Sequence, residues 1–317
     1  MVADQFNYSS QSALLGGASP YDMAGLEQFP GVNSLGSFLI RNSFRPNQSI
    51  FTPVGPRLSN ASVAQIDYAI NARTTFTTVG NYDLLHFFNS GLIDSYAGGF
   101  QTGVSRELTR RDIVAVAYRF NSLWFTGYSA YIRDHVTELL YGRSLGKHLT
   151  LQVGAGPDIS FINNGVTTET RVSWTADAAL RYWLERWGFG LYYNHGLTGG
   201  SGVFLGAVTT LASGVVQRQL SHVWSISFDA NYARNTNVIG VATATVVAPA
   251  GARFDSVYGG VLARRQFGRN SECFFGYTIR RQTSDVNLCS GGVCGTNLLG
   301  NQLNFGVVWR PEQIAID

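Results

Sequence analysis

The side chains that could do chemistry here are mainly histidines, serines and carboxylates. The five histidines are His86, His135, His148, His195 and His222. Only His195, in "NHGLTGGSG", lies near a glycine-rich segment with a serine, Ser201. A Ser–His–acid triad needs its members within hydrogen-bond reach, and no signature here supports one. That segment precedes a predicted strand rather than a helix, so it does not predict a phosphate-binding loop. We predict no catalytic residue, no metal site and no cofactor, and we expect a protein that is not an enzyme.

Two of the three cysteines are close together, in "CSGGVCG". Cys289 and Cys294 are separated by four residues, two of them glycine, which could close a small disulfide in an oxidising compartment. Two free thiols or a weak metal site are the alternatives, but no histidine or carboxylate pair lies nearby to complete a zinc site. Cys273 lies on a predicted strand and is interpreted as a small apolar residue. We predict the Cys289–Cys294 disulfide.

The composition is that of a chain with few charges. Of 317 residues, 14% are charged, against about 25% in a typical soluble domain, while 13% are aromatic and 36 are glycine. The net charge of +3 is too small to indicate nucleic-acid binding. The sequence contains no run of about 18 apolar residues, so it predicts no transmembrane helix. The start, "MVADQFNYSSQS", lacks the pattern of a signal peptide, so we expect that a signal was removed or that the chain is truncated.

Alternation with a period of two dominates the chain from about residue 62. In "SHVWSISFDANYARN", Trp224, Ile226 and Phe228 share one face, and Ser227 and Asp229 share the other. "RVSWTADAALRYWLE", "NQLNFGVVW" and "DIVAVAYRF" behave in the same way, and no helical period competes. The chain is therefore predicted to be all-β.

The connections between these strands alternate in length. Short ones lie at 107–112, 144–148, 184–187, 220–223 and 267–270, and long ones at 122–130, 162–171, 195–202, 235–252 and 284–298. Outer-membrane barrels have short periplasmic turns and longer extracellular loops. We predict an antiparallel up-and-down transmembrane β-barrel of about 14 strands, within about 12 to 16. Thirteen candidate strands lie beyond residue 60, and 2–9 is the fourteenth. Residues 1–60 are predicted as this partial strand plus a long loop or plug, 61–313 as the barrel, and 314–317 as a tail.

The short turns and the tryptophans support this prediction. Arg106-Glu-Leu, Arg143-Ser-Leu, Arg218-Gln-Leu and Arg265-Gln-Phe recur at the turns, as tandem strand pairs would leave them. The tryptophans fall into two bands, one near short turns and one near long loops, which is typical of aromatic girdles at two membrane interfaces. The predicted girdle is Trp124, Trp174, Trp183, Trp187, Trp224 and Trp309.

The polar faces of the strands would then line the lumen. The predicted lining residues are Arg119, Glu138, Asp177, Arg181, Asp229, Asn231, Glu272 and Arg280. Such a mixture of charges serves either as a selectivity lining or as a network that holds the wall in shape. The 235–252 loop either folds inward as a constriction or extends as a hairpin above the membrane.

Several segments carry a resemblance to a known family. "LTRRDIVAVAYRF", "LQVGAGPDIS", "TRVSWTADAALRY", "HGLTGGSGVFLGA" and "CSGGVCGTN" together resemble a group of largely uncharacterised, porin-like outer-membrane β-barrel proteins abundant in acidobacteria. The resemblance covers about residues 40 to 313. It implies a barrel in the outer membrane of a Gram-negative bacterium, with a signal peptide and further strands upstream, and it implies no transported substance.

We therefore expect a porin-like passive diffusion channel for small solutes. The alternatives are a structural or binding barrel with a blocked lumen, and a barrel that exports a polysaccharide. The expected partners are outer-membrane lipid and an unknown small solute or polymer, with a homo-oligomer as a further candidate and no nucleic acid.

Overall fold

The computed structural model describes residues 2–9, 57–88, 92–242, 247–268, 270–290 and 293–309. This part of the chain contains sixteen strands and one turn of 3-10 helix, Gly200–Gly202. The strands are β1 (Val2–Ser9), β2 (Arg57–Asn71), β3 (Thr74–Phe87), β4 (Ser95–Glu107), β5 (Asp112–Phe125), β6 (Tyr131–Ser144), β7 (Leu149–Asn163), β8 (Thr168–Trp183), β9 (Trp187–Thr198), β10 (Leu205–Gln219), β11 (Trp224–Ile239), β12 (Val241–Ala242), β13 (Val247–Ala248), β14 (Arg253–Phe267), β15 (Ser271–Ser290) and β16 (Val293–Trp309).

Fourteen of these strands form one sheet in which each strand pairs with the next strand of the sheet along the chain. All thirteen pairings are antiparallel, and β12 and β13 form a separate two-stranded hairpin between β11 and β14. The prediction of an all-β, antiparallel up-and-down sheet of about 14 strands is confirmed. The predicted first strand at 2–9 is present and pairs with β2, which begins at Arg57, four residues before the predicted start of the barrel. Among the described residues, no helix has the length and apolar character needed to cross a membrane.

The two faces of the sheet differ in character: one exposes large apolar side chains, and the other buries many polar and charged ones. On what we call the outer face, large apolar side chains are exposed, with Phe305 at 84% and Val172 at 73%. On what we call the inner face, many buried side chains are polar or charged, including Gln101, Arg119 and Glu138. Because apolar side chains avoid water, this arrangement requires an apolar environment outside the sheet. The outer-face positions in β11 are those that the alternation predicted.

The sheet curves around its inner face. The backbone N–H of Ile93, between β3 and β4, donates to the carbonyl of Gly202, between β9 and β10, at 2.8 Å. Phe204, just before β10, packs edge-on against Phe254 of β14, with ring centroids 4.8 Å apart. The Ile93–Gly202 bond therefore joins two connections that are far apart in the order of the sheet, whereas Phe204 and Phe254 lie on either side of β11.

The short turns carry local hydrogen bonds that explain their sequences. In the turn before β5, the Thr109 hydroxyl donates to the Asp112 carboxylate at 2.6 Å, and the backbone N–H groups of Arg111 and Asp112 both donate to the Thr109 hydroxyl oxygen. The turn between β6 and β7 places Gly146 at a φ of 89°, a left-handed conformation in which glycine avoids a steric penalty. These turns define one end of the sheet, called the short-turn end, and the opposite end is called the long-loop end.

Candidate functional site on the inner face

All eight predicted lining residues lie on the inner face. Within each strand they share the parity of the buried inner positions, as Arg119 does with Ala115 and Ala117. Their burial differs: Arg119, Glu138, Asp177, Asn231 and Arg280 are buried, and Arg181, Asp229 and Glu272 are half-buried. The structure therefore puts these side chains on one face, and their role in lining a solute path stays a prediction.

A charged group that we call the Arg119 cluster occupies the inner face of four neighbouring strands, β5 to β8. It consists of Arg119, Asp134, Glu138, Asp158 and Asp177. The Arg119 side chain is 3% exposed, and its Nη1 lies 3.4 Å from Oε1 of Glu138, which is 1% exposed. The other three carboxylates also interact electrostatically with this guanidinium. One cation thus faces four carboxylates, and the cluster is net negative when all are ionised.

Irregular pairing of β6 with β7 positions Glu138. The ladder runs regularly to Val136↔Asp158 and resumes at Leu139↔Ala155, so two pairs are missing, Thr137 with Pro157 and Glu138 with Gly156. Pro157 has no N–H to donate there. A Cβ on Gly156 would lie 1.7 Å from the Thr137 carbonyl oxygen, so glycine is needed for this close approach. The β6 and β7 backbones therefore approach closely beside Glu138, whose side chain points to Arg119.

Hydrogen bonds on the inner face connect the carboxylates of the Arg119 cluster. The buried Ser160 hydroxyl lies 2.8 Å from Oδ1 of Asp158 and 3.3 Å from Oδ1 of Asp134. Asn194 of β9 donates to Asp177. Gln101 of β4 is 1% exposed and lies directly opposite Arg119 in the β4–β5 register. Neither atom of the Gln101 amide has a hydrogen-bond partner among the described residues.

Sequence reasoning missed three of these inner-face residues, Gln101, Asp134 and Asp158. The inner neighbours of Asp134 on β6 are Ile132 and Val136, both apolar, so the strand shows no clean alternation of polar and apolar residues. The period of two would have placed Asp134 on the face of Glu138, because the two are four residues apart. The position of Asp134 in the strand, rather than the polarity of its neighbours, therefore indicates that it lies on the inner face.

The remaining predicted lining residues form smaller contacts elsewhere on the inner face. Asn231 donates to Asp229 at 3.1 Å, and Arg280 donates to Gln302 of β16. The guanidinium of Arg181 lies 5.7 Å from the ring centroid of Tyr192. Glu272 lies near the short-turn end of β15, apart from the Arg119 cluster. The eight residues are thus distributed around the wall, and three of them meet in one cluster.

The long-loop end of the inner face is apolar. What we call the Phe204 cluster is a buried group contributed by β4 to β7, β9 to β11, β14 and the connections between them. Phe204, Ile132 and Phe254 are all fully buried there. The 235–252 segment extends β11 to Ile239, and Ala248 and Ala252 belong to the same cluster. In the described part of the chain, a buried apolar cluster therefore lies at this end of the inner face.

Of the six tryptophans that were predicted to form a girdle, five lie at or near the ends of their strands, whereas Trp174 lies in the middle of β8. Trp174, Trp183 and Trp224 are exposed. Trp124 stacks on Tyr96 with centroids 5.2 Å apart. The remaining two are Trp187, which is half-buried in the first position of β9, and Trp309, whose side chain lies outside the described residues. The girdle stays a prediction.

The cysteines and histidines contribute no inner-face site in the described residues. Cys289 and Cys294 are directly opposite each other in the β15–β16 register, but their side chains lie outside the described residues, so the disulfide stays a prediction. The His195 side chain faces outward and stacks on Trp174, with ring centroids 4.0 Å apart. Its Nδ1 forms a hydrogen bond of 2.8 Å with the Thr210 hydroxyl. Within the described ranges, no three His, Cys, Asp or Glu side chains are grouped to hold a metal ion.

Comparison with known proteins agrees with this architecture. No family model and no curated protein matches the chain. Among solved structures, it is similar to the FrpB iron transporter from Neisseria meningitidis (F3-3 variant), with a TM-score of 0.55 and 8% identity over 82% of this chain and 49% of that one. It is also similar to the ferric citrate transporter FecA in its unliganded form, with a TM-score of 0.51 and 13% identity over 81% and 48%. The fold is that of outer-membrane β-barrels.

The chain spans about half the length of these two transporters. At such low identity the likeness concerns the fold alone. The acidobacterial family suggested by the sequence stays a prediction.

Proposed function

We propose that this chain forms an outer-membrane β-barrel that transports small polar solutes along its inner face. The observation that carries the proposal is the contrast between the two faces, with Phe305 and Val172 exposed outside and Arg119 and Glu138 buried inside. A lipid-facing apolar band around a polar interior is the arrangement of transmembrane β-barrels. The transport functions of the two structurally similar barrels support the same assignment.

The Phe204 cluster supports a lumen that is closed at rest. Phe204 and Phe254 are fully buried, and the hydrogen bond from Ile93 to Gly202 holds the segment before Phe204 against the β3–β4 connection. Ions and polar solutes cross an apolar constriction poorly, because they lose hydration there. We therefore propose gated transport, in which solute passes when the segment around Phe204 moves. An open porin-like channel, which the sequence predicts, is the second candidate.

The Arg119 cluster gives the proposed path a preference for cations. Four carboxylates face one guanidinium, so the local charge opposes the entry of anions. Rings of carboxylates select cations in channels by the same electrostatic attraction. A solute that passes this level is expected to be neutral or positively charged.

Conductance in planar bilayers tests the proposal. The wild-type chain is expected to be largely silent, and Phe204→Ala is expected to conduct with a preference for potassium over chloride, because it removes a ring from the centre of the apolar cluster. Phe305→Ala is the matched control, since it removes the same ring from the outer face. Folding of each variant is checked by a heat-dependent shift on gels.

The outcomes separate the two candidates. Steady conductance of the wild-type chain, unchanged in Phe204→Ala, would show an open porin-like channel and overturn gating. Silence of all three proteins with intact heat modifiability would overturn transport and leave a structural or binding barrel. A preference for chloride in Phe204→Ala would contradict the role of the Arg119 cluster.

A further inference from the structure

An apolar groove runs along the outer face of β7 to β11 and β14. Its floor is made of small residues, Ala212 and Gly214 on β10 and Ala230 on β11, and its volume is about 560 Å³. Leu191 lies opposite Gly214 in the register and stands on one side, and Tyr232 lies opposite Ala212 and stands on the other. The wall of the groove is almost wholly apolar.

Two arginines lie on the outer face beyond the short-turn end of this groove. Arg218 is on the same face of β10 as Gly214, four residues further along, and its guanidinium lies 4.7 Å from the ring centroid of Trp187. Arg265 of β14 lies 5.4 Å from the ring centroid of Trp224 and 4.7 Å from that of Phe267. Both arginines belong to the Arg-x-Leu/Phe motif that recurs at the short turns.

These two arginines differ from a third member of the motif in their charge balance. Arg143 lies 3.5 Å from the Asp112 carboxylate, which neutralises it. Arg218 and Arg265 are exposed, and within the described ranges neither is paired with a carboxylate. Their aromatic contacts hold the guanidinium planes in place without satisfying their charge. Both are therefore free to receive an anionic group.

The dimensions match one leaflet of a bilayer. Arg218 and Ala212 are six residues apart on one strand, about 20 Å at about 3.4 Å per residue. With a strand tilt of about 40°, this is about 15 Å of depth, against an apolar band of about 25 Å. Arg218 and Arg265 are separated by one strand, β11, and are offset by two residues along the strands, so their Cα atoms are about 12 Å apart. A group between them can contact both long side chains.

We propose that this surface binds one anionic phospholipid, with its phosphate between Arg218 and Arg265 and an acyl chain in the groove over Gly214. The proposal rests on the proposed position of the barrel in the outer membrane. An amphiphile with a negative head and an apolar tail fits both ends of the surface. A second copy of the chain packed symmetrically here would bring a second set of the same arginines to the rim, and like charges would repel.

Native mass spectrometry of the full chain, refolded in detergent, tests the site with two probes. Dioleoylphosphatidylglycerol carries the anionic phosphate, and dioleoylphosphatidylcholine has the same tails with a zwitterionic head. We expect one retained phosphatidylglycerol, bound at least 10-fold more tightly than phosphatidylcholine. The double variant Arg218→Gln with Arg265→Gln should lose this preference. Arg106→Gln is the matched control, because Arg106 is an exposed member of the same motif on β4, away from the groove.

A second variant tests the tail. Ala212→Leu with Ala230→Leu fills the floor of the groove with apolar side chains that a lipid-facing surface tolerates, so the barrel should fold. We expect weaker retention of both lipids while the preference between the two heads persists. This result would separate the groove from the arginines.

Three results would overturn the lipid site. Equal loss in Arg106→Gln and in the Arg218/Arg265 variant would show unspecific attraction to basic residues. Unchanged lipid retention in both the arginine variant and the alanine-to-leucine variant would exclude this surface as the lipid site. A dimer that dissociates in the alanine-to-leucine variant would show that a second copy occupies it. Heat-modifiable folding and insertion into vesicles are measured on the same samples, so failure of the barrel itself is recognised separately.

Discussion

Replacing Arg119 with methionine should destabilise the barrel strongly. The change keeps a long side chain but removes the cation from a group with Asp134, Glu138, Asp158 and Asp177. The nearest of these carboxylates is 1% exposed, so water screens the remaining negative charges weakly. The variant would therefore remove the buried cation that these four carboxylates face.

The magnitude follows from the 3.4 Å separation of Arg119 Nη1 and Glu138 Oε1. At an effective dielectric constant of about 20, two unit charges at this distance attract by about 5 kcal/mol. Removing one partner of a buried ion pair costs about 3–5 kcal/mol, because the other partner stays desolvated. A typical protein is stable by about 5–15 kcal/mol, so the loss would be a large fraction of the free energy of unfolding.

A double-mutant cycle with Glu138→Gln identifies the cause. The single Glu138→Gln variant should lose about 1–3 kcal/mol, since Arg119 still faces three carboxylates. Because Glu138→Gln also removes one of the repelling charges, adding it to Arg119→Met should restore at least about 1 kcal/mol. The assay is urea unfolding from phosphatidylcholine vesicles, followed by tryptophan fluorescence, with a heat-dependent gel shift as the measure of the folded barrel.

Arg106→Met is the control, since Arg106 is exposed on the outer face and its replacement should change the free energy of unfolding by no more than about 0.5 kcal/mol. The reasoning is refuted if Arg119→Met is as stable as this control. It is also refuted if the double variant is less stable than Arg119→Met, because the carboxylates would then not repel one another.

Two further predictions test the assignment of the two faces of the sheet and the disulfide between β15 and β16. Phe228→Arg should block insertion into vesicles, because a lipid-facing arginine at the midplane costs about 2–4 kcal/mol. Asp229→Asn should fold normally, since Asp229 lies on the inner face. Equal folding of the two variants in the gel-shift assay would show that the faces are assigned wrongly. Iodoacetamide should label Cys289 and Cys294 only after reduction, because directly opposed strand residues have Cα atoms about 5 Å apart, within disulfide range. Labelling of this pair without reductant, beyond that of Cys273, would exclude the disulfide.

The sequence determined the strands and their two faces. In β11, alternation from Trp224 to Tyr232 predicted both the strand and its exposed side, because a pleated strand puts every second side chain on the same face. The alternation of short and long connections predicted neighbouring antiparallel pairs, since a tight turn can join only adjacent strands. Even the short strand at 2–9 could be predicted, although it carries only a weak apolar pattern.

The tertiary structure decided which inner residues meet. Asp134 and Asp158 belong with Arg119 because the β5–β7 registers and the close approach at Gly156 bring them together. The sequence of β6, with Ile132 beside Asp134, gave no such indication. A period of two specifies the face on which a side chain lies, but which residues lie opposite one another also depends on the geometry of the turns.

The apolar cluster at the long-loop end was also decided only by the fold. In the sequence, "GLTGGSGVF" is a glycine-rich connection without a periodic pattern, and nothing in it indicates which residue Phe204 packs against. In the structure, Phe204 packs against Phe254, fifty residues away along the chain, because β10 and β14 both pair with β11. The N–H of Ile93 in the β3–β4 connection donates to the carbonyl of Gly202 in the β9–β10 connection, because the sheet curves until these distant connections meet. Side-chain alternation is local and is written in the sequence, whereas contact across the interior depends on the curvature of the whole sheet.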